Sequence, residues 1–146
     1  MASFFDDESA EAVFVLKGYA GTGKTTLIGA LVKSIAKLRY KTVLMAPTGR
    51  AAKVMAAYAN RAACTIHKRI YFTQPERQGN LKFKLQKNKF KRTLFLVDEA
   101  SMIGNQQRQS KLFENGSLLH DLIEYVHSGE DCKLMFVGDT AQLPPV

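Results

Sequence analysis

The chain has no tryptophan, two cysteines, four prolines and three histidines in 146 residues. So few cysteines exclude the disulfide-dense scaffolds of small secreted domains. Cys64 and Cys132 lack metal-ligand spacing, and His67, His120 and His127 do not complete one, so no structural zinc site is expected. The simplest reading is a pair of reduced thiols in a cytoplasmic protein. No apolar run approaches the ~20 residues of a membrane span. Residues 1–12 carry only acids and do not resemble a secretory leader. Asn115, Gly116 and Ser117 match a glycosylation sequon but read as a turn. Internal repeats and low-complexity tracts are missing as well. The length is that of one domain, able to bury roughly two-thirds of its unfolded surface.

Basic charge is what the chain has in excess. The formal net charge is +8. Residues 82–92 hold Lys82, Lys84, Lys87, Lys89, Lys91 and Arg92 without one acid. Such a run suits a polyanion such as nucleic acid. A solvated surface that only keeps the protein soluble is the other reading of the same charge.

Four short apolar runs, 13–16, 43–46, 94–97 and 134–137, recur between helical or polar segments. Helices are expected at about 24–38, 49–60 and 117–128. Strands alternating with helices predict an α/β fold with a mainly parallel sheet, its loops gathered at the C-terminal strand ends. Residues 70–92 depart from this pattern. Two β-like runs there flank Pro75 and a Gly79-Asn80 turn, and the second alternates apolar residues with lysine. A basic, β-hairpin-like insertion projecting from the sheet is expected.

The stretch GYAGTGKT at 18–25 fits the phosphate-binding loop G-x-x-x-x-G-K-[ST], and it lies between a strand and a helix as that loop requires. Gly18, Gly21 and Gly23 let the backbone approach phosphate closely, with Thr22 between them. Lys24 would meet the β- and γ-phosphates, Thr25 would offer its hydroxyl to Mg²⁺, and Thr26 is placed for the α-phosphate. Downstream, LFLVDE at 94–99 delivers two adjacent carboxylates at a strand end. Asp98 is expected to hold Mg²⁺ through its waters, and Glu99 to orient and deprotonate the attacking water. Together the two stretches indicate hydrolysis of a nucleotide such as ATP.

Two more loops narrow the reading: APTGRAA at 46–52 and GDTAQLPPV at 138–146. Together with TIHK at 65–68 and DEASM at 98–102, they closely resemble the motor core of superfamily 1 DNA helicases, nearest the RecD-like branch. The resemblance runs from Val13 to Val146. It implies a RecA-like P-loop NTPase fold and an ATP- and Mg²⁺-dependent motor acting on single-stranded DNA. It further implies that Pro47, Thr48, Gly49 and Arg50 lie against the DNA backbone, as do Thr65 and His67. Gln142 would sense the γ-phosphate, and Asp139 would help couple that sensor to the DNA side. Plainer roles exist for some of these: His67 as a structural histidine, Arg50 as a charge at a helix start.

Helicases of this group place ATP between two RecA-like domains, the second contributing arginines worth roughly 10³–10⁵ in rate in analogous NTPases. The later motifs and the upstream adenine-reading glutamine have no counterpart here. The expectation is therefore the first motor domain of a longer, exodeoxyribonuclease V alpha-type helicase. Alone it would bind nucleotide, hydrolyse it slowly if at all and not unwind DNA, and an exposed sheet edge would favour self-association. Two alternatives remain at this point: another P-loop NTPase, and a non-catalytic, nucleotide-responsive DNA-binding module.

Overall fold

A computed structural model describes residues 13–18, 23–103 and 117–139. Five strands form one sheet: β1 (Val13–Gly18), β2 (Lys41–Ala46), β3 (Ala63–Thr65), β6 (Thr93–Val97) and β7 (Lys133–Asp139). Their spatial order is β1-β7-β6-β2-β3, and every neighbouring pair is parallel. The chain has the expected RecA-like α/β fold, with helices covering both faces of a parallel sheet.

The central strands read as continuous apolar runs because both faces are covered. In β6, Leu94 and Leu96 point to one core, while Phe95 and Val97 point to the other. In β7, Met135 and Val137 join the first, Leu134 and Phe136 the second. One face is closed by α1 (Lys24–Lys37) and α2 (Gly49–Ala59). Ile28, Leu31, Val32 and Ile35 of α1 recur at helical spacing and are all buried there. The opposite face is closed by α3 (Ile66–Ile70) and α4 (Leu118–His127), through Ile66, Ile70, Leu118, Leu122, Tyr125 and Val126.

The expected hairpin forms. β4 (Tyr71–Pro75) pairs antiparallel with β5 (Leu81–Leu85), and Gly79 takes the positive φ (78°) of the connecting turn. The alternation in β5 has a structural cause: Phe83 and Leu85 pack on the core while Lys82 and Lys84 face the other way. The hairpin is anchored at its base. The Tyr71 hydroxyl donates to the Asp121 carboxylate, fully buried on α4, and Gln86 Nε2 donates to the Tyr71 carbonyl at 2.6 Å.

Parallel pairing puts all five sheet strands' C-terminal ends on one edge. Gly18 lies beside Asp139, Val97 beside Met45, and Ala46 beside Thr65. Every motif loop singled out in the sequence therefore leaves from the same side of the molecule.

Candidate nucleotide site and nucleic-acid edge

Gly23 precedes α1 in a left-handed conformation (φ 78°), which glycine adopts at no steric cost, and it caps the helix with no side-chain hydrogen bond. The first N–H groups of α1 are thus not claimed by a capping side chain, which is what an anion at a helix N-terminus requires. Gly18 ends β1, Lys24 and Thr25 form the start of α1, and Thr26 is exposed. Gly21, Thr22 and Gln142 lie outside the described residues, as do the side chains of Lys24, Thr25 and Asp139.

Asp98 follows directly on β6, and its own N–H extends the ladder to the Met45 carbonyl at 3.0 Å. One carboxylate oxygen, Oδ1, accepts the Glu99 N–H at 2.8 Å. The other, Oδ2, accepts the hydroxyl of Tyr58, near the C-terminal end of α2. Burial, the hydrogen bond to Asp98 and the charges of Asp98 and Glu99, in that order, push the Tyr58 hydroxyl well above the ordinary phenol range. It stays a donor throughout the physiological range. Glu99 is exposed and holds a left-handed backbone (φ 54°) at the start of a 3₁₀ turn, Ala100–Met102. For a residue with a Cβ that conformation costs about 1–2 kcal/mol, and it turns Glu99 away from the line of the strand.

A cavity of about 340 Å³ opens between these carboxylates and the start of α2, lined by Thr48, Arg50, Ala51, Val54, Asp98, Glu99 and Met102. Thr48 and Arg50, assigned from sequence to the DNA side, thus face the two carboxylates assigned to the nucleotide. Thr48 is also the N-cap of α2, its Oγ1 accepting the Ala51 N–H at 3.2 Å. Pro47 is buried, while Gly49 and Arg50 are exposed in the first turn of the helix.

Thr65 ends β3 and His67 lies in the first turn of α3, both outside that cavity. Thr65 caps α3 by accepting the Lys68 N–H at 3.2 Å. The His67 ring packs 5.9 Å from Tyr71 and 6.2 Å from Phe83, centroid to centroid. Burial there lowers its pKa, favouring the neutral ring. Thr65 thus has a structural role at the start of α3, and His67 one at the base of the hairpin.

The basic run divides. Lys91 pairs with Glu130 at 3.2 Å, both side chains being largely exposed. Arg92 lies 4.8 Å over the Tyr40 ring and donates to the Leu38 carbonyl. Lys82 and Lys84 line a groove on the hairpin, and Lys87 and Lys89 line a second groove that also contains Arg69. Arg69 continues into a third, of about 510 Å³, with Arg61 and Lys68. The third groove contains no acid and adds three cations that lie outside the sequence run.

The site's oxygen donors suit a hard cation. Among the described residues no cluster of three or more His, Cys, Asp or Glu could hold a metal. A Mg²⁺ here would rely on one or two protein oxygens, with phosphates and waters completing its shell, which is its usual habit in phosphate chemistry. Asp98, at the end of β6, fits that requirement. Tyr58 is the residue that sequence reasoning missed. Its signal was helical spacing: Ala51, Val54 and Tyr58 share one face of α2.

Comparison with known proteins agrees with this geometry. Residues 3–146 match the AAA domain family. The chain is 33% identical to the ATP-dependent RecD2 DNA helicase of Deinococcus radiodurans over 146 residues, 99% of this chain and 18% of the relative. It is 34% identical over 102 residues to the multifunctional conjugation protein TraI of Escherichia coli K12, 67% of this chain and 6% of that protein. An uncharacterized Methanocaldococcus jannaschii protein, MJ1519, is 34% identical over 151 residues, covering 92% of this chain and 11% of its own length. The chain thus spans less than a fifth of each of these three relatives.

Proposed function

Because the chain belongs to the AAA domain family, as the first motor domain of RecD-like superfamily 1 helicases, we propose that it binds and hydrolyses ATP while gripping single-stranded DNA. The observation that carries this reading is the shared cavity. Thr48 and Arg50 stand across about 340 Å³ from Asp98 and Glu99, so one structural unit can respond to both ligands.

In this reading the loop from Gly18 to Gly23, with Gly21 and Thr22, cradles the phosphates. Lys24 neutralises the β- and γ-phosphates, and Thr26 lies by the α-phosphate. Bound Mg²⁺, held by Thr25 and Asp98, supplies charge stabilisation at the transferred phosphoryl group. Glu99 orients the attacking water and takes its proton. Gln142 reads the γ-phosphate and releases it on hydrolysis. Pro47, Thr48, Gly49, Arg50, Thr65 and His67 form the DNA edge. A second RecA-like domain across the nucleotide supplies the arginines that complete the site, and stepping along DNA follows from closure of the two. The setting is cytoplasmic DNA repair or recombination, and among the described residues no helix is long and apolar enough to cross a membrane. Among the described residues β1 and β3 form the sheet's two edges, and pairing at such an edge gives a route to self-association.

The cationic grooves test the nucleic-acid half. Replacing Lys82, Lys84, Lys87 and Lys89 with glutamine is expected to weaken binding of a single-stranded oligonucleotide. It should also reduce the slope of log K against log[salt] by up to about 3, at roughly 0.7 for each phosphate no longer neutralised. Fluorescence anisotropy across a salt series reads both. An unchanged affinity and slope would return these lysines to the role of solvated surface.

A further inference from the structure

We propose that Tyr58 is a positioning residue that fixes the Asp98 carboxylate for the metal of the nucleotide site and ties it to the helix whose first turn faces nucleic acid. The inference rests on the nucleotide-site reading above and deepens it by naming the physical link between its two halves.

Both oxygens of Asp98 are engaged: the Glu99 N–H holds Oδ1 at 2.8 Å, and the Tyr58 hydroxyl holds Oδ2. A carboxylate oxygen has two lone-pair directions, so each keeps one for a metal or its water. Two donors on opposite oxygens fix the plane of the carboxylate. The Glu99 donor belongs to the same strand end and moves with it. The Tyr58 donor comes from another element.

That element is α2, an eleven-residue helix whose first turn is Gly49, Arg50 and Ala51 and whose N-cap is Thr48. Its side chains sweep back toward its N-terminus, which lets a tyrosine in the last turn reach the C-terminal edge of the sheet. Ala52 and Met55 are buried, with Tyr58 and Ala59 packed against the same core, so the helix moves as a body. A displacement of the Thr48–Arg50 turn by a DNA strand therefore reaches the Tyr58 hydroxyl, and through it Asp98. Outer hydrogen-bond partners of metal-binding groups carry about 10–100-fold of metal affinity or activity, so this bond is strong enough to matter. A phenol that only satisfied its own buried hydroxyl would leave the metal unaffected when removed.

The test is Mn²⁺ binding, as a paramagnetic stand-in for Mg²⁺, to the chain saturated with a slowly hydrolysed ATP analogue. It is read by electron paramagnetic resonance with and without a single-stranded oligonucleotide, in wild type and Tyr58→Phe. Phenylalanine keeps the ring and its packing, and the melting temperature monitors the fold. In wild type the oligonucleotide is expected to change metal affinity. In Y58F metal affinity should fall by about 10-fold, and the ratio of affinities with and without DNA should approach one. Wild-type affinity and DNA response in Y58F would overturn the proposal while leaving the nucleotide site intact. A wild-type metal affinity indifferent to DNA would overturn the link. Absence of metal-dependent nucleotide binding in wild type would overturn this inference and the site reading together.

Discussion

Glutamine in place of Glu99 is expected to lower ATP turnover on single-stranded DNA by about 10²–10⁴-fold, the usual worth of a positioned general base. Nucleotide affinity should stay within about twofold, because the missing interaction is made only with the attacking water. The structure supports this division. Glu99 is exposed beside the cavity, and Asp98 engages only its backbone N–H. The left-handed backbone at position 99 costs the same with either side chain, so Glu99→Gln removes the base without changing the strain. Steady-state hydrolysis with parallel nucleotide titrations separates the two quantities. A parallel loss of affinity and turnover would instead assign Glu99 to the metal shell.

The largest expected effect on stability lies far from the site, where the chain after the hairpin meets the end of α4. Asn88 is buried, donating to the Tyr125 and Val126 carbonyls at 3.0 and 3.1 Å and accepting the Phe90 N–H at 2.9 Å. It thereby adds a second donor to two carbonyls of the last helical turn, which also accept from Ser128 Oγ and the Gly129 N–H. Asn88→Ala leaves the Phe90 N–H without its acceptor and removes one of two donors from each carbonyl, and should cost about 1–3 kcal/mol. Gly129 sits against the same amide: a Cβ there would come within 2.4 Å of Asn88 Nδ2 and 2.7 Å of Cys132 Sγ. Gly129→Ala should cost about 1–3 kcal/mol by overpacking. At roughly 2–4 °C per kcal/mol, both should lower the melting temperature clearly. Because the two act on one contact, the double variant should lose less than the sum of the singles. Strict additivity in thermal or urea unfolding would show that Gly129 is needed for something other than room for Asn88.

What the sequence made legible, and what it did not, follows from the range of the interactions. The strands around 13–16, 94–97 and 134–137 and the helices at 24–38, 49–60 and 117–128 could be read because period and composition are local properties. The hairpin could be read because lysine alternates with apolar residues in β5. The three-residue β3 and five-residue α3 are too short to show a period, and they surfaced only as the TIHK motif. Pairings stayed invisible. Tyr58 meets Asp98 across 40 positions and Tyr71 meets Asp121 across 50. Nothing in either local pattern announces its partner. Charge counting had a similar limit: Lys91 and Arg92 are engaged by Glu130, Tyr40 and the Leu38 carbonyl, whereas Arg61, Lys68 and Arg69 form a basic groove no run of lysines displays. For His67, the motif offered a DNA contact, and the fold adds an aromatic cluster with Tyr71 and Phe83.

If one sheet edge joins a nucleotide site to a nucleic-acid grip, the affinity of the chain for Mg·ATP must register both. The decisive comparison is that affinity in wild type and Lys24→Ala, with and without a saturating single-stranded oligonucleotide. The prediction is measurable binding in wild type, weakened about 10–100-fold when the lysine's charge-assisted bonds are removed. A wild-type affinity that shifts with DNA is also predicted, and by reciprocity DNA affinity must shift with nucleotide by the same factor. Equal affinities in wild type and Lys24→Ala, indifferent to DNA, would contradict it.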